Sequence, residues 1–310
     1  MQPVTAVKTA DLVYLYVETP LHAGAGPDEH GEVDLPIQRD EATGYPIIRA
    51  SSLKGAFRGL AEGARPPDEV AAAFGSEPEP PDQAKLVGGL VFADARPLLF
   101  PVRSLVGVFA WVITPSVLAR LQRDAAAYGL SAPTWPAIPS PPSGSAWVAP
   151  DSLVRSARGQ VVLEEVTFRG ESEPEVAALG RWLASNTLPA DPVFGYWAAR
   201  LPVGLVVLAE DAFRFFVVQS TEVAARIRID RRTGAAAEGA LWTEEYLPAD
   251  TLLYAPLGAN DPEKPAGAVS SAVDALAWLQ ALSPPHVQIG GGRTLGRGLV
   301  RLRWASRGTL

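Results

Sequence analysis

The 310-residue chain has no cysteine, which excludes a disulfide framework, a zinc–thiolate site and a cysteine nucleophile. It has three histidines, at 22, 30 and 286, too few for a histidine-rich metal centre. No apolar run reaches the about 18 residues of a membrane span. The longest candidate, Leu98 to Ile113, is broken by Pro101 and Arg103. The N-terminal stretch lacks a basic segment followed by a long apolar one, so the expectation is a soluble, cytoplasmic protein with no membrane partner. Lysine is also scarce: of 27 basic side chains only four are lysines, at 8, 54, 85 and 264.

What is present is the composition of a folded chain, 47% hydrophobic and 20% charged, and global disorder is excluded. A net charge of −7 excludes a uniformly basic nucleic-acid-binding surface. The charge is unevenly distributed. Residues 1–50 hold three bases and eight acids, whereas residues 275–310 hold five arginines and no acid. Strand signals fall at Leu12–Val17, Leu86–Ala93, Gly107–Ile113, 161–168, 203–208, Val223–Ile229, Leu241–Tyr254 with an interruption at Pro248, and Leu299–Trp304. Helical spacing falls at 51–64, 68–74, 115–128, 174–185, 211–219 and 269–282. Residues 20–46 read as a long loop and the proline-rich 131–150 as an insertion or linker. Strands and helices mix without strict alternation, so the expected class is α+β with antiparallel sheet, one core carrying large insertions.

Four places can carry chemistry. The C-terminal stretch from Gly290 to Gly298 includes Gly290, Gly291, Gly292, Arg293 and Arg297. Its glycines let backbone N–H groups approach a phosphate, although a plain glycine-rich turn with solvated arginines is the competing reading. A helix before the glycines and a strand after them is the wrong order for a dinucleotide fingerprint. In the stretch Ser51-Ser52-Leu53-Lys54-Gly55-Ala56-Phe57-Arg58-Gly59, serines at a helix start cap its first N–H groups. Lys54 and Arg58 share a face, and Gly55 and Gly59 suggest a close approach by another backbone. Between 223 and 254, period 2 sets Arg226 and Arg228 on one strand face, with Trp242, Glu244 and Tyr246 on one face of the returning strand. Such a hairpin can stack on nucleic acid, or be an edge hairpin whose arginines pair with Glu244 and Glu245. Finally, His22, Asp28, His30, Asp34 and Asp40 in the acidic loop can supply a base or a metal ligand, or be solvated charges.

Together the motifs resemble a known family. Thr19-Pro20-Leu21-His22-Ala23-Gly24, Val33-Asp34-Leu35-Pro36-Ile37-Gln38-Arg39 and Ser51-Ser52-Leu53-Lys54-Gly55 resemble the N-terminal signature of the RAMP proteins of CRISPR effector complexes. With Phe100-Pro101-Val102-Arg103-Ser104 and Leu241-Trp242-Thr243-Glu244-Glu245-Tyr246-Leu247-Pro248, the likeness spans nearly the whole chain and is to the backbone subunit of the type III-B (Cmr) complex.

The resemblance implies a modified RRM-like (ferredoxin-like) palm with inserted fingers and a β-hairpin thumb at about 221–256. Copies of the chain stack along a guide RNA beside other subunits of the complex, and target RNA is cut at regular intervals. The cleaving residue falls on Asp34 in a mobile loop, as base or ligand of a divalent ion (Mg or Mn), with His22 assisting. Lys54 matches the lysine that holds guide RNA. The expected guide-binding set is Ser51, Ser52, Lys54, Arg58 and the Gly290–Arg297 loop; the expected thumb set is Arg226, Arg228, Trp242, Glu245 and Tyr246. The expected reaction is attack by a ribose 2′-hydroxyl, leaving a 2′,3′-cyclic phosphate. The rival is a non-catalytic RNA scaffold whose target is cut by another subunit.

Overall fold

A computed structural model describes residues 7–28, 31–76, 86–230, 232–234, 236–282, 284 and 286–306, with 236–240 as backbone only. In chain order the elements are β1 (Thr9–Val17), α1 (Ala50–Glu62), α2 (Pro67–Phe74), β2 (Leu90–Phe92), β3 (Arg96–Arg103), β4 (Phe109–Ile113), α3 (Pro115–Ala127), β5 (Ser145–Val148), β6 (Gln160–Leu163) and β7 (Val166–Ser172). There follow α4 (Pro174–Thr187), α5 (Gly195–Gly204), β8 (Leu205–Val207), α6 (Glu210–Gln219), β9 (Glu222–Ile229), β10 (Ala236–Tyr246), β11 (Leu252–Ala259), α7 (Ala272–Leu282), β12 (His286–Gln288) and β13 (Leu299–Trp304).

One mixed sheet organises the molecule in the order β12-β13-β1-β11-β3-β4-β8-β5-β7-β6, with β2 also on β11. Most pairs are antiparallel; β4–β8 and β5–β7 are parallel. Strand β1 lies between β13 and β11, with Tyr14 opposite both Arg303 and Tyr254. Both central strands are almost wholly buried: α7 packs on β1 and β11, and α3 also packs on β11, where Asp124 accepts from the Tyr254 hydroxyl at 2.9 Å. Their near-continuous apolar sequence reflects burial of both faces, where alternation would expose one. The hairpin β9–β10 forms a separate two-stranded sheet with Trp242 opposite Arg226.

Several boundaries differ from the sequence expectation. The 161–168 strand is a hairpin, β6 and β7, turning at Glu164 in the left-handed region (φ 47°). The segment expected as one strand from Leu241 to Tyr254 serves two sheets: β10 ends at Tyr246 and β11 begins at Leu252, so the thumb hairpin stops short of 256. The turn between them holds Asp250 at φ 67°, where Tyr16 donates its hydroxyl to the carboxylate. The expected strand at 203–208 starts only at Leu205, because α5 runs through Pro202. The expected strand from Leu86 shrinks to Leu90–Phe92, since Gly88 lies against the backbone of Phe74 and Gly75. Strand β3 was hidden by Pro97 and Pro101, whose missing N–H groups argue against a central strand. The proline-rich insertion is no free linker: it contains β5, and Trp135 packs edge-on against Trp182 at 5.1 Å.

Candidate nucleic-acid interface

The long segment between β1 and α1 has no regular secondary structure, yet it is extensively bonded. Leu21 exchanges backbone bonds with Leu247 at 2.9 and 2.8 Å, and Ala25 donates to Pro36 across the loop at 2.9 Å. Leu35 donates to the Thr243 carbonyl and Glu245 donates back to the Leu35 carbonyl, both at 3.0 Å. Residues 34–36 therefore lie as a short parallel partner on β10, and the cleavage loop of the resemblance is tied to the root of the thumb hairpin.

Asp34 is exposed at this join. Its Oδ2 accepts from the Thr243 backbone N–H at 2.7 Å and from Thr243 Oγ1 at 2.8 Å. Among the described residues no other group donates to Oδ1. The Thr243 hydroxyl bond, then the N–H bond, stabilise the ionised form and hold the carboxyl below its usual value of 3.8. Two residues along β10 from Thr243, the Glu245 carbonyl is 2.7 Å from His22 Nδ1. A carbonyl only accepts, so Nδ1 carries a proton in this contact. His30 lies outside the described residues.

Strand β10 distributes its side chains by alternation. Glu245 points inward and is 5% exposed, accepting from Arg39, from Thr221 Oγ1 at 2.6 Å and from the Ile37 N–H at 3.0 Å. It is thus a buried anchor for the loop, not a surface group of the thumb. On the other face Tyr246 is buried; its hydroxyl donates to Glu244 and accepts from Arg226 at 2.7 Å. Arg226 also lies 3.4 Å from Glu244, as the edge-hairpin alternative anticipated. Trp242 donates its indole N–H to Glu244 at 2.8 Å. The Arg297 guanidinium sits 4.9 Å over the Tyr246 ring, bringing the C-terminal glycine loop onto the thumb root. Arg228, farther along the hairpin, is exposed and forms no ion pair among the described residues.

The glycine loop rests on the start of the segment between β1 and α1. Gly291 donates to the His22 carbonyl at 2.9 Å and Gly298 to that of Pro20 at 3.0 Å. Gly290 has φ 80°, and a Cβ there would lie 2.2 Å from the His22 carbonyl oxygen, so this position requires glycine. Gly292 and Arg293 are exposed.

Helix α1 starts differently from the serine-capped expectation. Its N-cap is Arg49, and no side chain caps from that position. The orphan N–H groups of Arg49 and Ala50 instead donate, each at 2.8 Å, to Gln38 Oε1 and Asp94 Oδ1. Ser52 accepts from Gln38 Nε2 at 2.9 Å, and Ser51 is exposed. Lys54 is half-buried with no carboxylate partner among the described residues; burial, then the Arg58 charge, push its ammonium below the usual range. Arg58 pairs with Glu62 at 2.7 Å and donates to the Gly75 carbonyl. Gly55 and Gly59 have nothing within 4 Å of a would-be Cβ among the described residues, so no close approach to them is made there. They line an open groove of about 620 Å³ whose opposite wall includes His286, Gln288 and Arg293.

Gln38, Arg39 and Thr243 were quoted only as letters of motifs, without roles. Gln38 links the loop to α1, and Arg39 and Thr243 link it to β10. Their partners lie far away in sequence, so no local signal reveals the roles.

Among the described residues no group of three or more His, Asp or Glu side chains could hold a metal ion. Asp34 with its lone carboxylate does not make a metal site by itself.

With this sheet, its separate two-stranded hairpin and the glycine loop packed at the hairpin root, residues 14–301 match the model of the RAMP superfamily. The chain belongs to that superfamily. Among its relatives is the CRISPR system Cmr endoribonuclease Cmr4 of Pyrococcus furiosus, 34% identical over 94% of this chain and 95% of that protein. The crystal structure of oligomeric Cmr4 from Pyrococcus furiosus superposes with a TM-score of 0.69 at 26% identity, covering 95% of this chain and 97% of that one. A chain of the type III-B Cmr-beta complex in its apo state gives a TM-score of 0.68 at 26% identity, covering 97% and 99%. No helix among the described residues is long and apolar enough to cross a membrane.

Proposed function

We propose that this chain is the repeating backbone subunit of a cytoplasmic type III-B CRISPR ribonucleoprotein, binding guide RNA in several copies beside other subunits and cutting the paired target RNA at regular intervals. The observation that carries the reading is the attachment of Asp34 to β10. An exposed carboxylate and the root of a protruding hairpin form one unit, so a nucleotide displaced by the hairpin lies next to an anion of fixed position.

Within this reading β13-β1-β11-β3, with α1 and α7 as its crossovers, is the ferredoxin-like palm, and β9–β10 is the thumb. Lys54, the α1 groove and the Gly290–Arg297 loop supply cations and backbone N–H groups for guide phosphates. An acidic total is compatible with this, because the cations are gathered along one groove.

For cleavage, the target ribose 2′-hydroxyl donates a hydrogen bond to the Asp34 carboxylate, which aims the oxygen in line at the adjacent phosphorus. Attack forms the 2′-O–P bond as the P–O5′ bond breaks; the 2′-hydroxyl gives up its proton and the departing 5′-oxygen takes one from water, leaving a 2′,3′-cyclic phosphate and a 5′-hydroxyl. A carboxyl held in its ionised form is a weak proton acceptor, so Asp34 acts chiefly by orientation and charge. His22, held at the Glu245 carbonyl, is the residue of this reading that assists proton transfer. A divalent ion would draw its ligands mainly from RNA phosphates and water.

Asp34→Ala in the reconstituted, guide-loaded complex is the test, read on 5′-labelled target. Loss of the regularly spaced cuts with target binding retained supports the reading; cuts persisting at the wild-type rate would assign cleavage to another subunit.

A further inference from the structure

We infer that Thr243, a thumb-strand residue, is the positioning residue that holds Asp34 for cleavage and thereby ties the cutting group to the hairpin. The inference rests on the proposed role of Asp34.

Every polar atom of Thr243 is directed at the dipeptide Asp34-Leu35. Its backbone N–H and its hydroxyl both donate to Asp34 Oδ2, at 2.7 and 2.8 Å. Its Oγ1 accepts from the Asp34 N–H at 2.9 Å, and its carbonyl accepts from the Leu35 N–H at 3.0 Å. The arrangement is reciprocal, as in a helix capping box, but joins segments 209 residues apart. Opposite Thr243 in the hairpin is Ala225 of β9, which offers no side-chain hydrogen bond in competition.

The consequence for chemistry follows from where Asp34 sits. An exposed aspartate ordinarily moves among rotamers, and a reacting group displaced by about 1 Å loses much of its effect. Two donors on one oxygen fix the carboxylate plane and leave Oδ1 for the ribose hydroxyl. Because those donors belong to β10, movement of the hairpin carries the carboxylate with it. The cut is then set at a constant offset from the nucleotide the hairpin displaces.

Thr243→Val removes the hydroxyl while keeping the volume, the β-branched shape and the backbone N–H; Thr243→Ser restores the hydroxyl. Single-turnover cleavage of labelled target is measured in the guide-loaded complex beside target affinity, with Asp34→Asn as reference. The expected result is cleavage slowed roughly tenfold or more in Thr243→Val, with affinity and cut spacing unchanged and the rate recovered in Thr243→Ser. Wild-type cleavage by Thr243→Val beside an inactive Asp34→Asn would overturn the inference and leave the role of Asp34 standing. Wild-type cleavage by Asp34→Asn would remove that role itself. A parallel loss of affinity and cleavage, or no rescue by serine, would reduce Thr243 to a folding contact and also overturn the inference.

Discussion

Arg39 and Glu245, 206 residues apart, form an ion pair in which the glutamate side chain is 6% exposed. The pair joins two motifs that the sequence displays separately, the one containing Asp34 and the one containing Trp242 and Tyr246. Arg39 also donates to the carbonyls of Gly44 and Val218, so it braces the loop, α6 and β10 together.

Arg39→Ala leaves Glu245 buried with only Thr221 and the Ile37 N–H as donors. The expected loss is roughly 2–4 kcal/mol, seen as a fall in Tm of the purified chain on the order of 5–10 °C. Glu245→Gln with Arg39 retained should lose less, because the amide still accepts hydrogen bonds. A Tm for Arg39→Ala within about 1 °C of the wild type would contradict the anchoring role.

Lys54 has no acid to neutralise it among the described residues, which suits a cation that waits for phosphate. Replacing it by alanine should weaken guide-RNA binding about three- to tenfold and lower the salt dependence by about 0.7 per lost contact. Filter binding over a salt series measures both. An unchanged slope would move the phosphate contact elsewhere on the groove.

Gly55 and Gly59 disfavour α1 without relieving any clash among the described residues. Gly55→Ala and Gly59→Ala should therefore each raise the stability of the free chain, by up to about 1 kcal/mol. The same substitutions should weaken guide binding or assembly, because a methyl group would project into the groove. Thermal melts beside guide-binding assays separate the two effects; no loss of binding would leave the groove without a ligand.

Asp250 sits under the sheet with its carboxyl raised above 3.8 by burial, an effect that the Tyr16 hydroxyl bond and Arg200 only partly offset. A carboxyl raised in the folded state binds its proton more tightly there than in the unfolded chain. Folding is therefore favoured at low pH and loses that contribution as pH rises from about 3.8 through the raised value. Asp250→Asn keeps an acceptor for Tyr16 and tolerates φ 67°, but does not titrate. Its advantage over the wild type should be larger at neutral pH than near pH 4, as followed by Tm; an equal difference at both would refute the assignment.

Much of the fold was legible because burial leaves a periodic trace. Leu53, Phe57 and Ala61 mark the inner face of α1, and Leu12–Val17 marks a central strand. Legibility failed where local rules were overridden. Pro97 and Pro101 sit in β3 because its neighbours supply the remaining backbone bonds, and the extended run around Pro248 was shared between two sheets. In the site, the roles expected of Asp34 and Lys54 came from the motif resemblance, and serine capping of α1 did not survive because Gln38 and Asp94 reach its first N–H groups.

The sequence by itself determined the absence of thiol and disulfide chemistry, the α+β class and the family resemblance, since all of these depend on composition and short-range pattern. Only the tertiary structure decided that Glu245 is buried, that Tyr246 lies beneath Arg297 and that Asp34 is held by Thr243. Those relationships are hydrogen bonds and packing between residues far apart in the chain. Their partners are chosen by sheet order and register, and neither can be read from neighbouring residues.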